Sequence, residues 1–304
     1  MKVSVVMTTY NGEKYLTEML DSLRNQTRII DEVLIFDDRS TDGSYELIQC
    51  YIKKYKLGNW KINLNDKNLG WERNFTHGIV AASGDVIFPC DQDDIWHTNK
   101  IEKMARAFEE NDNIWLLVSG YHAFSEYGGK MVTQQPVKTE TNDRVSRVVF
   151  DEHYYQILRP GCTMALKKEM MPLFRNLWSE GTPHDALLWV SASVLRKLYL
   201  YDDTFIEYRR HETNASKSIS HEYAYKVNEI ERTEKVNAWF LENNLVQEPV
   251  KEIINGCKQW CKYRRILLID RKRGYWFRLW PYRNYYLTLK KYVGDLYYSF
   301  SNKN

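Results

Sequence analysis

Residues 86–96 read Val-Ile-Phe-Pro-Cys-Asp-Gln-Asp-Asp-Ile-Trp, an apolar segment that delivers three carboxylates, Asp91, Asp93 and Asp94, to its end. Carboxylates crowded together are costly unless something positive neutralises them, and a divalent cation carrying phosphate oxygens is the usual partner. Alternate side chains of an extended segment share a face, so the Asp91-Gln92-Asp93 spacing predicts that Asp91 and Asp93 look into one site. The competing reading is a solvated acidic turn after a strand.

The elements that would position this cluster are legible around it. Residues 1–9 (MKVSVVMTT) show no polar alternation and read as a strand covered on both faces. Tyr10-Asn11-Gly12 breaks it, and Leu16, Met19, Leu20 and Leu23 give residues 13–24 a helical period. A second strand, residues 32–36, ends in Asp37-Asp38-Arg39-Ser40-Thr41-Asp42-Gly43-Ser44, and Tyr45, Ile48, Ile52 and Tyr55 mark another helix. Strand-loop-helix repeated in this way predicts an α/β fold, a mostly parallel doubly wound sheet flanked by helices. Its ligands sit beyond the C-terminal strand ends, where these polar loops fall.

At this point the chain resembles the family 2 glycosyltransferases of GT-A fold. The matching stretches are Val3-Ser-Val-Val-Met-Thr-Thr-Tyr-Asn-Gly12, Phe36-Asp-Asp-Arg-Ser-Thr-Asp-Gly43, Asn68-Leu-Gly-Trp-Glu-Arg-Asn74, Ala82-Ser-Gly-Asp85 and Asp91-Gln-Asp-Asp-Ile-Trp96. Five motifs in order within 100 residues make chance agreement small; the resemblance is strong to about residue 125, patchier to about 215, and then ends. It implies a GT-A domain over residues 1–215, with a nucleotide-binding half (1–100) and an acceptor-binding half (101–215). Residues 216–304 are expected to form a helical, basic and aromatic extension.

The resemblance also implies site roles. Thr8 and Tyr10, at the end of the first strand, and the 36–43 loop would hold a pyrimidine nucleotide, with Asp38 accepting from the N3–H of uracil or thymine. An Asx turn or helix cap is the plain alternative for Asp38, although Ser40 and Asp42 compete better for it. Arg73 would donate to a phosphate, or is a surface arginine on a helix. Asp91-Gln92-Asp93 looks like the DXD motif: Asp91 and Gln92 on the donor side, Asp93 on Mg²⁺ or Mn²⁺, ions that hard carboxylate oxygens suit. Asp94 is expected to cap a helix starting near Trp96.

Glycosyl transfer needs a base for the acceptor hydroxyl. Asp185, in Gly181-Thr-Pro-His-Asp-Ala-Leu-Leu-Trp189, follows a Gly/Pro loop and precedes an apolar helix; it is a helix N-cap, or by resemblance the base of an inverting displacement. Arg159-Pro-Gly-Cys-Thr-Met-Ala165 resembles the glycine-containing strand that passes the sugar. Tyr208-Arg-Arg-His-Glu-Thr-Asn-Ala-Ser216 resembles a segment of bacterial rhamnosyltransferase-like members, in which His211 would contact the metal or diphosphate; otherwise it is a satisfied histidine. The Asn214-x-Ser216 sequon has no meaning in a cytoplasmic protein.

Length and composition agree. The 304 residues can bury a full core. Met1-Lys2 leads straight into a strand, which argues against a signal peptide, and no apolar run approaches the roughly 20 residues that span a bilayer. Five scattered cysteines suggest reduced thiols in a cytoplasmic protein, with Cys257 and Cys261 as packing residues. The net charge of +3 hides an asymmetry: residues 251–304 hold 13 Lys/Arg against three acids, a local +10, mixed with 13 aromatic residues. That mixture suits an anionic bilayer interface; the alternative is a tail packed on the main domain with a basic face. No motif suggests nucleic acid.

The expectation is therefore an inverting, Mg²⁺- or Mn²⁺-dependent glycosyltransferase. It would move rhamnose or a hexose from a dTDP- or UDP-sugar to a growing, lipid-linked oligosaccharide of a bacterial surface polysaccharide, as a peripheral protein on the inner face of the cell membrane. A nucleotidyltransferase acting on sugar phosphates competes, but Thr8 to Leu16 lacks its glycine- and lysine-rich phosphate loop. A non-catalytic sugar-nucleotide-binding protein is the third reading.

Overall fold

The computed structural model describes residues 1–125, 134–211 and 223–300. Chain contacts divide them into two units: residues 1–149, 157–192 and 196–211 in the first, and residues 150–156, 193–195 and those after 211 in the second.

The first unit opens with β1 (Val3–Thr9), α1 (Glu13–Arg24), β2 (Glu32–Asp37), α2 (Ser44–Tyr55), β3 (Trp60–Leu64), α3 (Trp71–Ala81) and β4 (Val86–Cys90). It continues with β5 (Ile95–Trp96), α4 (Lys100–Glu110), β6 (Leu116–Ser125), β7 (Val145–Arg147), β8 (Met164–Lys167), α5 (Met171–Leu177), α6 (His184–Val194, its last two residues in the second unit) and β9 (Leu198–Arg210). The sheet order is β3-β2-β1-β4-β8-β6-β9-β5, with β7 on β9. Every residue of β1 and β4 is buried, as expected of strands without polar alternation when helices cover both faces. The first four strands of this order run parallel. Beyond β4 the sheet becomes mixed, because β8 is antiparallel to both β4 and β6. The C-terminal ends of β1, β2 and β4 lie on one edge, and Tyr10, Asp38 and Asp91 follow them directly.

The second unit holds α7 (Tyr223–Glu242), α8 (Val250–Leu268), α9 (Tyr275–Arg278) and α10 (Leu289–Phe300). Its centre is Trp260, with Tyr155 at 4.9 Å, Tyr286 at 5.2 Å and Tyr285 at 6.0 Å between ring centroids. Arg264 lies over the Trp260 ring at 4.3 Å and donates to buried Asp295 at 2.6 Å and to Glu229 at 2.9 Å. Lys226 and the Tyr286 hydroxyl also donate to Asp295, each at 2.8 Å. Burial would push the Asp295 carboxyl up, but the Arg264 and Lys226 charges override it and hold the carboxyl below its usual range. Part of the basic, aromatic composition of the tail is thus core. Cys257 and Cys261 are buried in α8.

Candidate active site

The acidic segment after β4 is bent rather than extended. Ligand atoms of Asp91, Asp94 and Cys162 lie within 4.8 Å of one another. Asp93 instead meets His211, with Nε2 and Oδ2 2.7 Å apart. Alternation along a strand therefore does not describe this segment. Asp94 is no helix cap either: α4 begins at Lys100, and Asp94 Oδ1 accepts the Arg209 backbone N–H at 3.1 Å.

Burial and mutual repulsion govern the electrostatics. Asp91 is pushed up to about 7, first by burial and then by the Asp93 charge. Asp94 is raised for the same reasons, with Asp91 its first repelling neighbour. The Cys162 thiol is also raised by burial, which leaves it a poor ligand near neutral pH. Facing the cluster is Lys100, fully buried, its ammonium donating to the Cys162 carbonyl at 2.6 Å and lying 3.4 Å from the centre of the Trp96 ring. The spacing Lys100, Met104, Phe108 puts this lysine on the buried stripe of α4, a signal present in the sequence and missed. Arg209 was missed too; its Nε donates to the Asp93 carbonyl at 2.9 Å, and its guanidinium pairs with Glu18 and stacks on Tyr15 and Phe124.

The donor set suits a hard divalent ion. Three carboxylates and an imidazole gather here, and Asp94 Oδ2 is buried with no hydrogen-bond partner among the described residues. Asp93 and His211 are joined by a hydrogen bond, with Asp91 and Asp94 close beside them.

The loops at the ends of β1 and β2 fasten their neighbours. Asp38 Oδ1 accepts from Asn65 Nδ2 and from the Leu69 backbone N–H, both at 2.8 Å, and Oδ2 accepts from the Gly70 N–H at 2.9 Å. Three of its roughly four acceptor positions are therefore taken, leaving one on Oδ2. The Asx turn of this loop belongs to Asp42, whose Oδ1 accepts the Ser44 N–H at 3.0 Å, while Asp37 takes the Ser40 N–H and hydroxyl. Gln92 clamps the end of β1: its Oε1 accepts from the Thr9 hydroxyl at 2.8 Å and the Tyr10 N–H at 2.9 Å, and its Nε2 donates to the Tyr10 carbonyl. Thr8 is buried in β1, whereas the Tyr10 side chain is exposed. Arg73, in the first turn of α3, pairs with Glu180 at 2.7 Å.

Asp185 sits in the first turn of α6 and its Oδ1 accepts the Ala186 N–H at 2.7 Å. Gly161 passes close beside it: a Cβ there would fall 2.6 Å from His184 Nε2 and 3.4 Å from the Asp185 Cβ. This close approach brings the Arg159–Ala165 stretch, and with it Cys162, to the head of α6, and Asp185 near enough to Asp91 to raise the latter's carboxyl further. His184 lies against Phe75 at 4.2 Å and is buried, and neither ring nitrogen has a hydrogen-bond partner among the described residues. Burial lowers its pKa, so the ring is a neutral packing element between α3 and α6. Of the expected 208–216 segment, Glu212 to Ser216 lie outside the described residues.

A parallel first half, a mixed second half and an acidic cluster at the strand ends make up a GT-A fold. Residues 4–171, more than half of the chain, match the profile of glycosyl transferase family 2, and the chain belongs to that family of sugar-transferring enzymes. An uncharacterized glycosyltransferase of Nostoc is 24% identical over 225 residues, 70% of this chain and 66% of that protein. Staphylococcus aureus TarS, solved in complex with UDP-GlcNAc, superposes with a TM-score of 0.64 at 18% identity, over 97% of this chain and 82% of the other. A mannosyltransferase of Pyrobaculum calidifontis, in complex with GDP-Man and Mn²⁺, gives 0.55 at 12% identity, over 100% and 88%. No helix among the described residues is long and apolar enough to cross a membrane.

Proposed function

We propose that this chain transfers a hexose or rhamnose from a UDP- or dTDP-sugar, with inversion, to a lipid-linked oligosaccharide at the inner face of the cell membrane. The observation that carries the reading is the meeting of Asp91, Asp93, Asp94 and His211 at the end of β4, with Asp185 led to the same place by Gly161. Asp38 offers its remaining acceptor position to the N3–H of a pyrimidine, and the exposed Tyr10 ring is free to lie along base or ribose. Arg73 exchanges its solvent-facing Glu180 partner for a phosphate, a low cost because exposed ion pairs contribute about 0–1 kcal/mol. Asp93 and His211 would hold Mg²⁺ or Mn²⁺, which offsets the charge of the departing nucleoside diphosphate. Asp185 takes the proton of the acceptor hydroxyl; that oxygen bonds to the anomeric carbon as the bond to the phosphate oxygen breaks on the opposite face. The TarS likeness supports a UDP-linked hexose, while rhamnose rests on residues 208–216.

A panel of nucleotide sugars tests this by thermal unfolding with Mn²⁺ and with EDTA. One UDP- or dTDP-sugar is expected to stabilise the folded state, by about 2.7 kcal/mol at 100 times its Kd, in Mn²⁺ and not in EDTA. Protection that ignores the metal, or comes only from purine nucleotides, overturns the assignment.

A further inference from the structure

Helix α10 is amphipathic in the reverse sense. The side it turns inward carries Tyr292, Asp295 and Ser299, all buried, with Asp295 bound to Arg264, Lys226 and Tyr286. The side it turns outward carries Leu289, Val293, Tyr297 and Phe300, at i, i+4, i+8 and i+11, one narrow stripe. Phe277 and Trp280 in the same unit are also exposed; the six side chains range from 53% exposed at Trp280 to 73% at Phe277. A helix that spends its polar face on a buried ion network and leaves its apolar face open calls for a cover.

The charges beside the stripe select that cover. Arg273 lies 4.0 Å from the centre of the Phe300 ring and Arg283 4.9 Å from that of Trp280, so cations sit directly on the exposed aromatics. Arg278 and Lys290 are exposed as well. Residues 271–300 contain seven Lys/Arg and one acid, Asp295, which is buried. A second copy docking through the same patch would oppose like charges. Apolar and aromatic side chains ringed by arginine and lysine match the boundary of a bilayer rich in anionic lipid.

We propose that the outward face of α10, with Phe277 and Trp280, inserts into the headgroup boundary of an anionic membrane while Arg273, Arg278, Arg283 and Lys290 hold its phosphates. This narrows the membrane-side part of the function proposed above to one surface; it rests on that reading for the acceptor and not for the binding.

Vesicle flotation of the full chain tests it, using phosphatidylcholine alone and phosphatidylcholine with phosphatidylglycerol. The wild type should float with the anionic vesicles, far less with the neutral ones, and less as salt rises. Val293→Asp and Tyr297→Ser should each lose flotation with their melting temperature and metal-dependent donor hydrolysis unchanged. Arg278→Gln combined with Arg283→Gln should weaken it by about 25-fold, about fivefold per charge. Wild-type flotation of the folded Tyr297→Ser and Val293→Asp proteins, or equal flotation on both vesicle types, overturns the proposal. So does a wild type that stays off vesicles and dimerises through this stripe, read as a mass halved by Val293→Asp in light scattering. Loss of donor hydrolysis with flotation intact would count against the enzyme reading alone.

Discussion

Replacing Asp91 by Asn should stabilise the metal-free protein. Its carboxyl is pushed up from 3.8 to about 7, chiefly by burial and then by Asp93, so at pH 8 the chain holds an ionised group where its neutral form is preferred. Three units at 1.36 kcal/mol each set a ceiling of about 4 kcal/mol. Asp91 keeps part of its surface in water and shares its field with Asp94, so about 2 kcal/mol is the working figure. The folded state binds a proton that the unfolded state has released between pH 4 and 7, so wild-type stability falls as pH rises through that window. Asp91→Asn should then melt about 4–8 °C higher than wild type at pH 8 in EDTA, the shift expected for 2 kcal/mol in a unit of this size. The gap should close towards pH 4. With Mn²⁺ the order should reverse, because the wild type alone keeps its full anionic cluster. Differential scanning fluorimetry at pH 5 and pH 8, with and without Mn²⁺, reads all of this. An Asp91→Asn protein less stable than wild type at pH 8 in EDTA would refute the reasoning.

Further expectations concern the base and the second unit. Asp185→Asn should lower kcat by about 10² to 10⁴ and leave donor binding unchanged, whereas a mere helix cap would cost stability and spare turnover in the folded fraction; product NMR should show the inverted anomer. Asp295→Asn should cost about 3 kcal/mol by removing the buried anion that Arg264 and Lys226 share and leaving Arg264 with Glu229 alone, measured by urea unfolding. Deleting residues 275–304 removes Tyr285, Tyr286 and Asp295 from around Trp260 and Arg264, so it should unfold the second unit rather than detach a membrane anchor, seen as lost near-ultraviolet dichroism.

Much of the first unit was legible because its signals are local. The helical period over residues 13–24 coincides with α1, and the runs without polar alternation at 3–9 and 86–90 are the buried β1 and β4. The candidate site can be read from residue types but not from geometry. The bend after Cys90 turns Asp93 to His211 and sets Asp91 beside Asp94 and Cys162, a backbone choice that side-chain spacing does not encode. Gln92 and Arg209 do their work across more than 80 residues of sequence, through β5 and β9 pairing and the end of β1. The tail illustrates the same limit from composition: Arg264 and Arg278 count equally in a charge sum, yet one is the core of an ion network and the other faces water. On α10 the apolar stripe has the spacing of a core face, and only the partners of Asp295 reveal that it points outward.

The central claim is that the residues at the end of β4 hold a nucleotide through a divalent ion. Titration calorimetry of UDP and dTDP into the wild type and Asp93→Asn, each in Mn²⁺ and in EDTA, addresses it most directly. The account predicts binding by the wild type in Mn²⁺, and its loss both in EDTA and in the folded variant. Equal affinity in EDTA, or in Asp93→Asn, would contradict it.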